Sequence, residues 1–154
     1  MRLVRVESGV RLTERYRLVE RLDRGGTTEV WRARDELLGR TVAVKLPASG
    51  NAAAHRAFQQ GVGRAAGLSH PALETVYDSD QARGRSGRVV SYAVTEFLDG
   101  ETLAARLRHG PLSVAETADI AEQVAGALAA LLSACLPSRS EEHTSELQSP
   151  IHIS

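Results

Sequence analysis

Hydrophobic and polar residues alternate from Tyr16 to Leu22 and again from Glu29 to Arg34, and the stretch between them, Asp23-Arg24-Gly25-Gly26-Thr27-Thr28, breaks the alternation. A period of two marks a half-buried strand, so the two runs predict a hairpin with a glycine-containing tip. The turn Glu36-Leu37-Leu38-Gly39-Arg40 leads into Thr41-Val42-Ala43-Val44-Lys45-Leu46, a third β-rich run, which makes a meander of three short antiparallel strands. Val89 to Leu98 predicts another strand, ended by Asp99-Gly100 and followed by a helical segment from Glu101 to His109. After that the period changes. Ile120, Val124, Leu128, Leu131 and Leu132 recur at helical spacing, so a long helix is expected to bury one face. Ser113 and Glu116 have the spacing of a capping box at its start.

Composition narrows the class without naming a function. The 154 residues, 42% of them hydrophobic, suffice for one soluble globular domain with a modest core. Formal net charge is zero, so nothing points to nucleic acid or to a membrane surface. The longest apolar stretch, Val124 to Leu136, is too short to span a bilayer, and Met1 to Val10 carries charges throughout, unlike a signal peptide. Cys135 is the single cysteine, which excludes a disulfide within the chain, favours a reducing cytoplasm and is expected to be a small buried hydrophobe. The five His residues show no ligand spacing, and no metal site is assigned.

One residue changes the picture. Nineteen residues are basic and only one of them, Lys45, is a lysine. A compact ammonium on a flexible stem suits contact with a phosphate in a tight cleft, whereas the planar Arg fork demands a wider bidentate site. Lys45 lies near the end of the third predicted strand, and a glycine tip facing it can cover a polyphosphate. Backbone N–H groups at Gly25 and Gly26 can approach phosphate oxygens because no Cβ intervenes.

The order of these pieces resembles the amino-terminal lobe of a protein kinase, most closely the bacterial eukaryotic-like (Hanks-type) Ser/Thr kinases. The residues that carry the resemblance are Leu22 through Val30 as the phosphate-covering loop and Val42-Ala43-Val44-Lys45 as the third-strand lysine motif. With them go Leu68-Ser69-His70-Pro71 before the fourth strand and Thr95-Glu96-Phe97-Leu98-Asp99-Gly100-Glu101-Thr102-Leu103 as gatekeeper, hinge and start of the next helix. The implied fold is α+β: an antiparallel five-stranded sheet with one helix, followed by the first helices of a second lobe. The implied division is 1–14 as an extension, 15–98 as the first lobe, 99–138 as the hinge end and first helices of a truncated second lobe, and 139–154 as a tail.

The resemblance also implies a ligand, ATP, and a set of residues to hold it. Adenine would sit between Leu22, Val30 and Ala43, with Thr95 at the back and the backbone groups of Glu96 and Leu98 along its edge. Lys45 would contact the α- and β-phosphates under the loop formed by Asp23, Arg24, Gly25, Gly26, Thr27, Thr28, Glu29 and Val30. Mg²⁺ is expected only for the full-length parent, because its protein ligands lie beyond this sequence. The protein substrate is not indicated by any residue here.

Three departures from the family pattern stand out. Asp23 and Thr28 occupy two of the three glycine positions of the phosphate loop, which predicts weaker or differently shaped ATP contact. The glutamate that pairs with the lysine falls on Gly61, so the helix supplies no carboxylate and Lys45 is expected to be poorly oriented. Gly61 and Gly63 also weaken that helix by roughly 1 kcal/mol each relative to Ala. Where the catalytic loop should begin, the sequence runs Pro137-Ser138-Arg139-Ser140-Glu141-Glu142 and contains no Ala, Gly or Val from Ser140 to Ser154. Arg139 to Ser149 resembles a translated sequencing adapter, and the tail is read as an assembly artefact or a polar disordered terminus. The expectation is the ATP-binding part of a Ser/Thr kinase, inactive as written; the alternative is a pseudokinase serving as an interaction or nucleotide-sensing module. A cytoplasmic location is expected, with a possible membrane anchor in the parent.

Overall fold

The computed structural model describes residues 7–83, 87 and 89–135. The tail 139–154 and the side chain of Cys135, with the expectations attached to them, lie outside what is described. In chain order the elements are β1 (Arg11–Leu12), β2 (Tyr16–Gly25), β3 (Thr28–Asp35), β4 (Arg40–Pro47), α1 (Ala52–Ala66), β5 (Val76–Arg83), β6 (Val89–Glu96), α2 (Leu103–Leu107) and α3 (Val114–Cys135). The strands form one antiparallel sheet in the order β1-β2-β3-β4-β6-β5. That is one strand more than the expected five, because Arg11 and Leu12 pair with Arg17 and Tyr16.

The alternation read from the sequence becomes two faces. Along β4, Val42, Val44 and Leu46 enter the core, where Leu18, Trp31, Ala33, Tyr92 and Val94 meet them. Ala43 and Lys45 therefore point to the other face. The sheet curls strongly, since residues from distant strands touch. The Tyr16 and Tyr92 rings meet edge to face with centroids 6.0 Å apart, Thr13 Oγ1 and Tyr92 Oη share a hydrogen bond of 2.7 Å, and the Tyr16 hydroxyl donates to Asp78 at 2.7 Å.

An ion pair on a buried carboxylate holds one end of this curl. Asp35 is fully buried at the end of β3, and both of its oxygens accept from the Arg15 guanidinium, at 3.0 and 2.9 Å. The backbone N–H groups of Leu37 and Leu38 also donate to it, at 3.2 and 3.3 Å, closing the β3–β4 turn that Gly39 completes with a positive φ of 65°. The Arg15 guanidinium outweighs the burial and holds the Asp35 carboxyl below the usual carboxylate range.

Helix α1 forms despite its glycines. Asn51 caps it by accepting from the Ala54 N–H at 2.7 Å, and His55 Nδ1 lies 3.2 Å from Ser91 Oγ on β6. At the start of α3 both hydrogen bonds of the capping box are present: Ser113 N–H donates to Glu116 at 2.8 Å, and Glu116 N–H donates to the Ser113 hydroxyl at 3.2 Å. The burial expected of α3 needs correction. Ala127 is buried and Ile120 and Leu131 are half-buried, but Val124, Leu128 and Leu132 are 52%, 53% and 65% exposed. The physical reason is geometric: the helix touches the rest of the described chain along a narrow line, where a Cβ at Gly126 would lie 3.3 Å from His70 Nε2. No helix among the described residues is long and apolar enough to cross a membrane.

Candidate functional site

The face opposite the core carries the candidate site. Lys45 on β4 stands between Val30 on β3 and Ala93 on β6, its partners in register, and Ala43 stands between Arg32 and Thr95. Ala43 and Thr95 are buried, Val30 is half-buried, and Lys45 keeps 29% of its side chain exposed. A floor that is apolar at Val30, Ala43 and Ala93, edged by Arg32 and Thr95, with one accessible ammonium at its end results from the alternation of Val42-Ala43-Val44-Lys45.

The hairpin tip stands beyond this floor. Asp23 pairs with Val30, and Gly25 pairs with Thr28, so the loop expected from Asp23 to Val30 is mostly two paired strands with a tight turn at Gly26 and Thr27. Gly26 has φ +58° and open space where a Cβ would project, the condition under which a backbone N–H can meet a ligand closely. Thr27 accepts through its carbonyl from Ala48 N–H at 2.8 Å, which ties the tip to the end of β4. The side chain of Arg24 lies outside what is described. Leu22 falls where the β2–β3 register slips, between Arg21 and Asp23, and is 48% exposed. Such a bulge re-aims a side chain out of strict alternation.

Past β6, the hinge residues diverge. Glu96 is half-buried and its backbone and side chain are both engaged: its N–H donates to Thr75 O at 2.9 Å and its carboxylate accepts from Thr75 N–H at 2.7 Å. The Glu96 carbonyl lies 3.3 Å from the Thr95 hydroxyl and shares its one proton with Glu74. Leu98 is 65% exposed, and its backbone enters no hydrogen bond among the described residues. The structure thus joins Val30, Ala43, Lys45 and Thr95 in one sheet face, with Leu22, Asp23, Gly26, Thr27 and Thr28 along the adjoining hairpin and Glu96 and Leu98 at the end of β6.

Lys45 is not left alone. Its Nζ donates to Glu74 Oε1 in an ion pair, and the second oxygen of Glu74 accepts from the Thr95 hydroxyl at 3.4 Å. The expectation of an unpartnered, poorly oriented ammonium is corrected on this point. Gly61 indeed offers no carboxylate, but a different segment, the loop before β5, brings one. Sequence reasoning missed Glu74. The available signal was slight: Glu74 is the one acidic residue between His70-Pro71 and the strand that follows.

A cavity of about 340 Å³ opens elsewhere, between α1 and the β5–β6 hairpin, lined by Phe58, Val62, Asp80 and Tyr92 among others. None of the residues expected to hold a nucleotide lines it. Among the described residues no group of three or more His, Cys, Asp or Glu is gathered in metal-binding fashion.

Comparison with known proteins agrees with this geometry. No family model matches the chain. It is 36% identical over 124 residues to the serine/threonine-protein kinase PknA of Mycobacterium tuberculosis, a match over 78% of this chain and 29% of PknA. It is 41% identical over 95 residues to the serine/threonine-protein kinase PknB of Mycolicibacterium smegmatis, over 60% of this chain and 15% of PknB. The chain therefore spans less than a third of the length of these relatives. The crystal structure of the M. tuberculosis PknI kinase domain superposes with a TM-score of 0.69 at 25% identity, over 88% of this chain and 54% of that one. On these identities and this superposition, the chain is a relative of the bacterial eukaryotic-like Ser/Thr protein kinases and has the fold of their amino-terminal lobe.

Proposed function

We propose that this chain is the ATP-binding lobe of a Ser/Thr protein kinase, with residues 15–98 forming the lobe and 99–138 opening the second one. The observation that carries the reading is the placement of the only lysine at the end of an apolar floor, on a strand flanked by the glycine hairpin and by the hinge. Adenine fits the surface that Leu22, Val30, Ala43 and Thr95 offer, and the exposure of Leu22 and Leu98 leaves apolar area for a planar base to cover. The backbone of Leu98 and the carbonyl of Glu96 supply polar groups along its edge. Lys45 supplies the countercharge to the phosphates, and the Gly26 turn supplies N–H groups without a Cβ in the way.

Mg²⁺ would supply neutralisation of phosphate charge for transfer of a phosphoryl group to a protein hydroxyl, and no group of three or more His, Cys, Asp or Glu among the described residues of this chain is gathered to hold it. This chain's own residues bind and orient the nucleotide and screen it from water. They include no match to the catalytic loop, so the 154 residues by themselves are proposed to bind ATP without transferring phosphate, in the cytoplasm. The pseudokinase reading loses one of its supports, because Glu74 replaces the carboxylate that Gly61 lacks.

Calorimetric titration of ATP into the full chain tests the proposal. Saturable binding is expected, weakened by about tenfold in Lys45→Met, the equivalent of one charge-assisted hydrogen bond. Absence of binding, or identical binding by Lys45→Met, would refute it.

A further inference from the structure

Lys45 and Glu74 form more than a contact between two long side chains. Glu74 sits on a segment that the sheet itself fixes. Leu73 N–H donates to His70 O at 3.0 Å and Ala72 N–H to His70 Nδ1 at 3.1 Å, which sets the turn before it. Immediately after it, Thr75 is clamped to Glu96 by the two hydrogen bonds already described, one to the Glu96 backbone and one to its carboxylate. The carboxylate therefore projects from a pinned stretch of backbone. Its two oxygens divide their work, one on the Lys45 ammonium and the other on the buried hydroxyl of Thr95.

We infer that Glu74 is the positioning residue for Lys45, placing its ammonium for the phosphates from the loop before β5 in the stead of a carboxylate on helix α1. The inference rests on the nucleotide-binding reading and extends it. Three details support it. The helix position that would compete is Gly61, which has no side chain. An ammonium has three N–H donors, so a carboxylate on one side leaves others for phosphate oxygens. And because neither Glu74 nor Thr75 belongs to α1, the pair persists whatever angle that helix adopts; orientation of the lysine is thereby decoupled from α1. A partly exposed ion pair of no consequence is the competing account, and a chemical measurement separates the two.

Lys45 is the only lysine, so acylation of the full chain by an N-hydroxysuccinimide ester, followed by peptide mass analysis, reports on one side chain. The rate is compared in the wild type and in Glu74→Gln, each with and without ATP, and a thermal melt checks that both fold. Glu74→Val serves in the same way should the Gln variant melt early. The inference expects Lys45 to be acylated about fivefold faster in Glu74→Gln, the scale of one partly exposed ion pair. It also expects ATP to protect Lys45 severalfold in the wild type and less well in the variant at the same ATP concentration.

Equal acylation rates in wild type and variant would overturn the assignment whatever ATP does. A faster rate in the variant with undiminished protection by ATP would reduce Glu74 to a shield and overturn its positioning role. Failure of ATP to protect wild-type Lys45 would instead overturn the nucleotide-binding reading, and Glu74's role with it.

Discussion

The sheet and the helix α3 were written in the same alphabet of alternating apolar and polar residues, yet they ended in opposite states. In β4 every second residue is buried in a core that five other strands help to build. In α3, Val124, Leu128 and Leu132 form a stripe of the right period and stay more than half exposed. Periodicity says which side of an element is apolar; it does not say that a partner is there to cover it. The sheet curls on itself and so supplies its own cover, through contacts such as Tyr16 with Tyr92 and Tyr16 with Asp78. A lone helix has no such recourse.

This contrast can be broken by matched substitutions. Leu18→Ala should destabilise the protein by about 3 kcal/mol, since Leu18 is fully buried, whereas Leu132→Ala should stay within about 0.5 kcal/mol, as measured by urea denaturation. Equal effects would mean that α3 packs as tightly as the sheet. Asp35→Asn should cost about 3 kcal/mol at neutral pH, because it removes the charge of a fully buried carboxylate that pairs with both Arg15 and Arg40 and leaves Arg15 only its longer contact with Asp78.

The same carboxylate predicts the acid response. Its folded-state pKa lies below its ordinary value, so the stabilisation is fully present above about pH 4 and drains as pH falls through the folded-state value. Melts of the wild type should therefore steepen their pH dependence below about pH 4, and those of Asp35→Asn should be flatter there. Smaller gains are expected in α1. Gly61→Ala and Gly63→Ala should each stabilise by up to about 1 kcal/mol, since both lie inside the helix with open space around a new Cβ. The smallest effect on stability belongs to Leu128→Glu with Leu132→Glu. These should leave the melting temperature nearly unchanged while reducing self-association in analytical ultracentrifugation.

Much of the sheet was legible because its strands alternate cleanly and its turns carry Gly or Asp. Residues 41–46, for instance, are read as a strand from β-rich content alone, with Lys45 near its end. The capping box at Ser113 and Glu116 was legible for a similar reason: both partners are local. The β5 strand was not delimited, because Val76 to Arg83 is mostly polar and carries no period of two. Glu74 was invisible as a partner because its contact with Lys45 spans 29 residues and depends on how the loop after His70 meets the end of β6. Side-chain pairing across a fold is set by tertiary geometry, which no local pattern encodes. The exposed stripe of α3 was legible in part, since a helix with this apolar face is expected to leave it uncovered where the rest of a second lobe is not there to pack on it.

The most direct test of the account is hydrogen–deuterium exchange of the full chain with and without ATP. The account predicts slowed exchange in residues 22–30 and 93–98, the hairpin tip and hinge, with no change across α3. Protection centred instead on α1 and the cavity it shares with β5 and β6, or no protection anywhere, would contradict it.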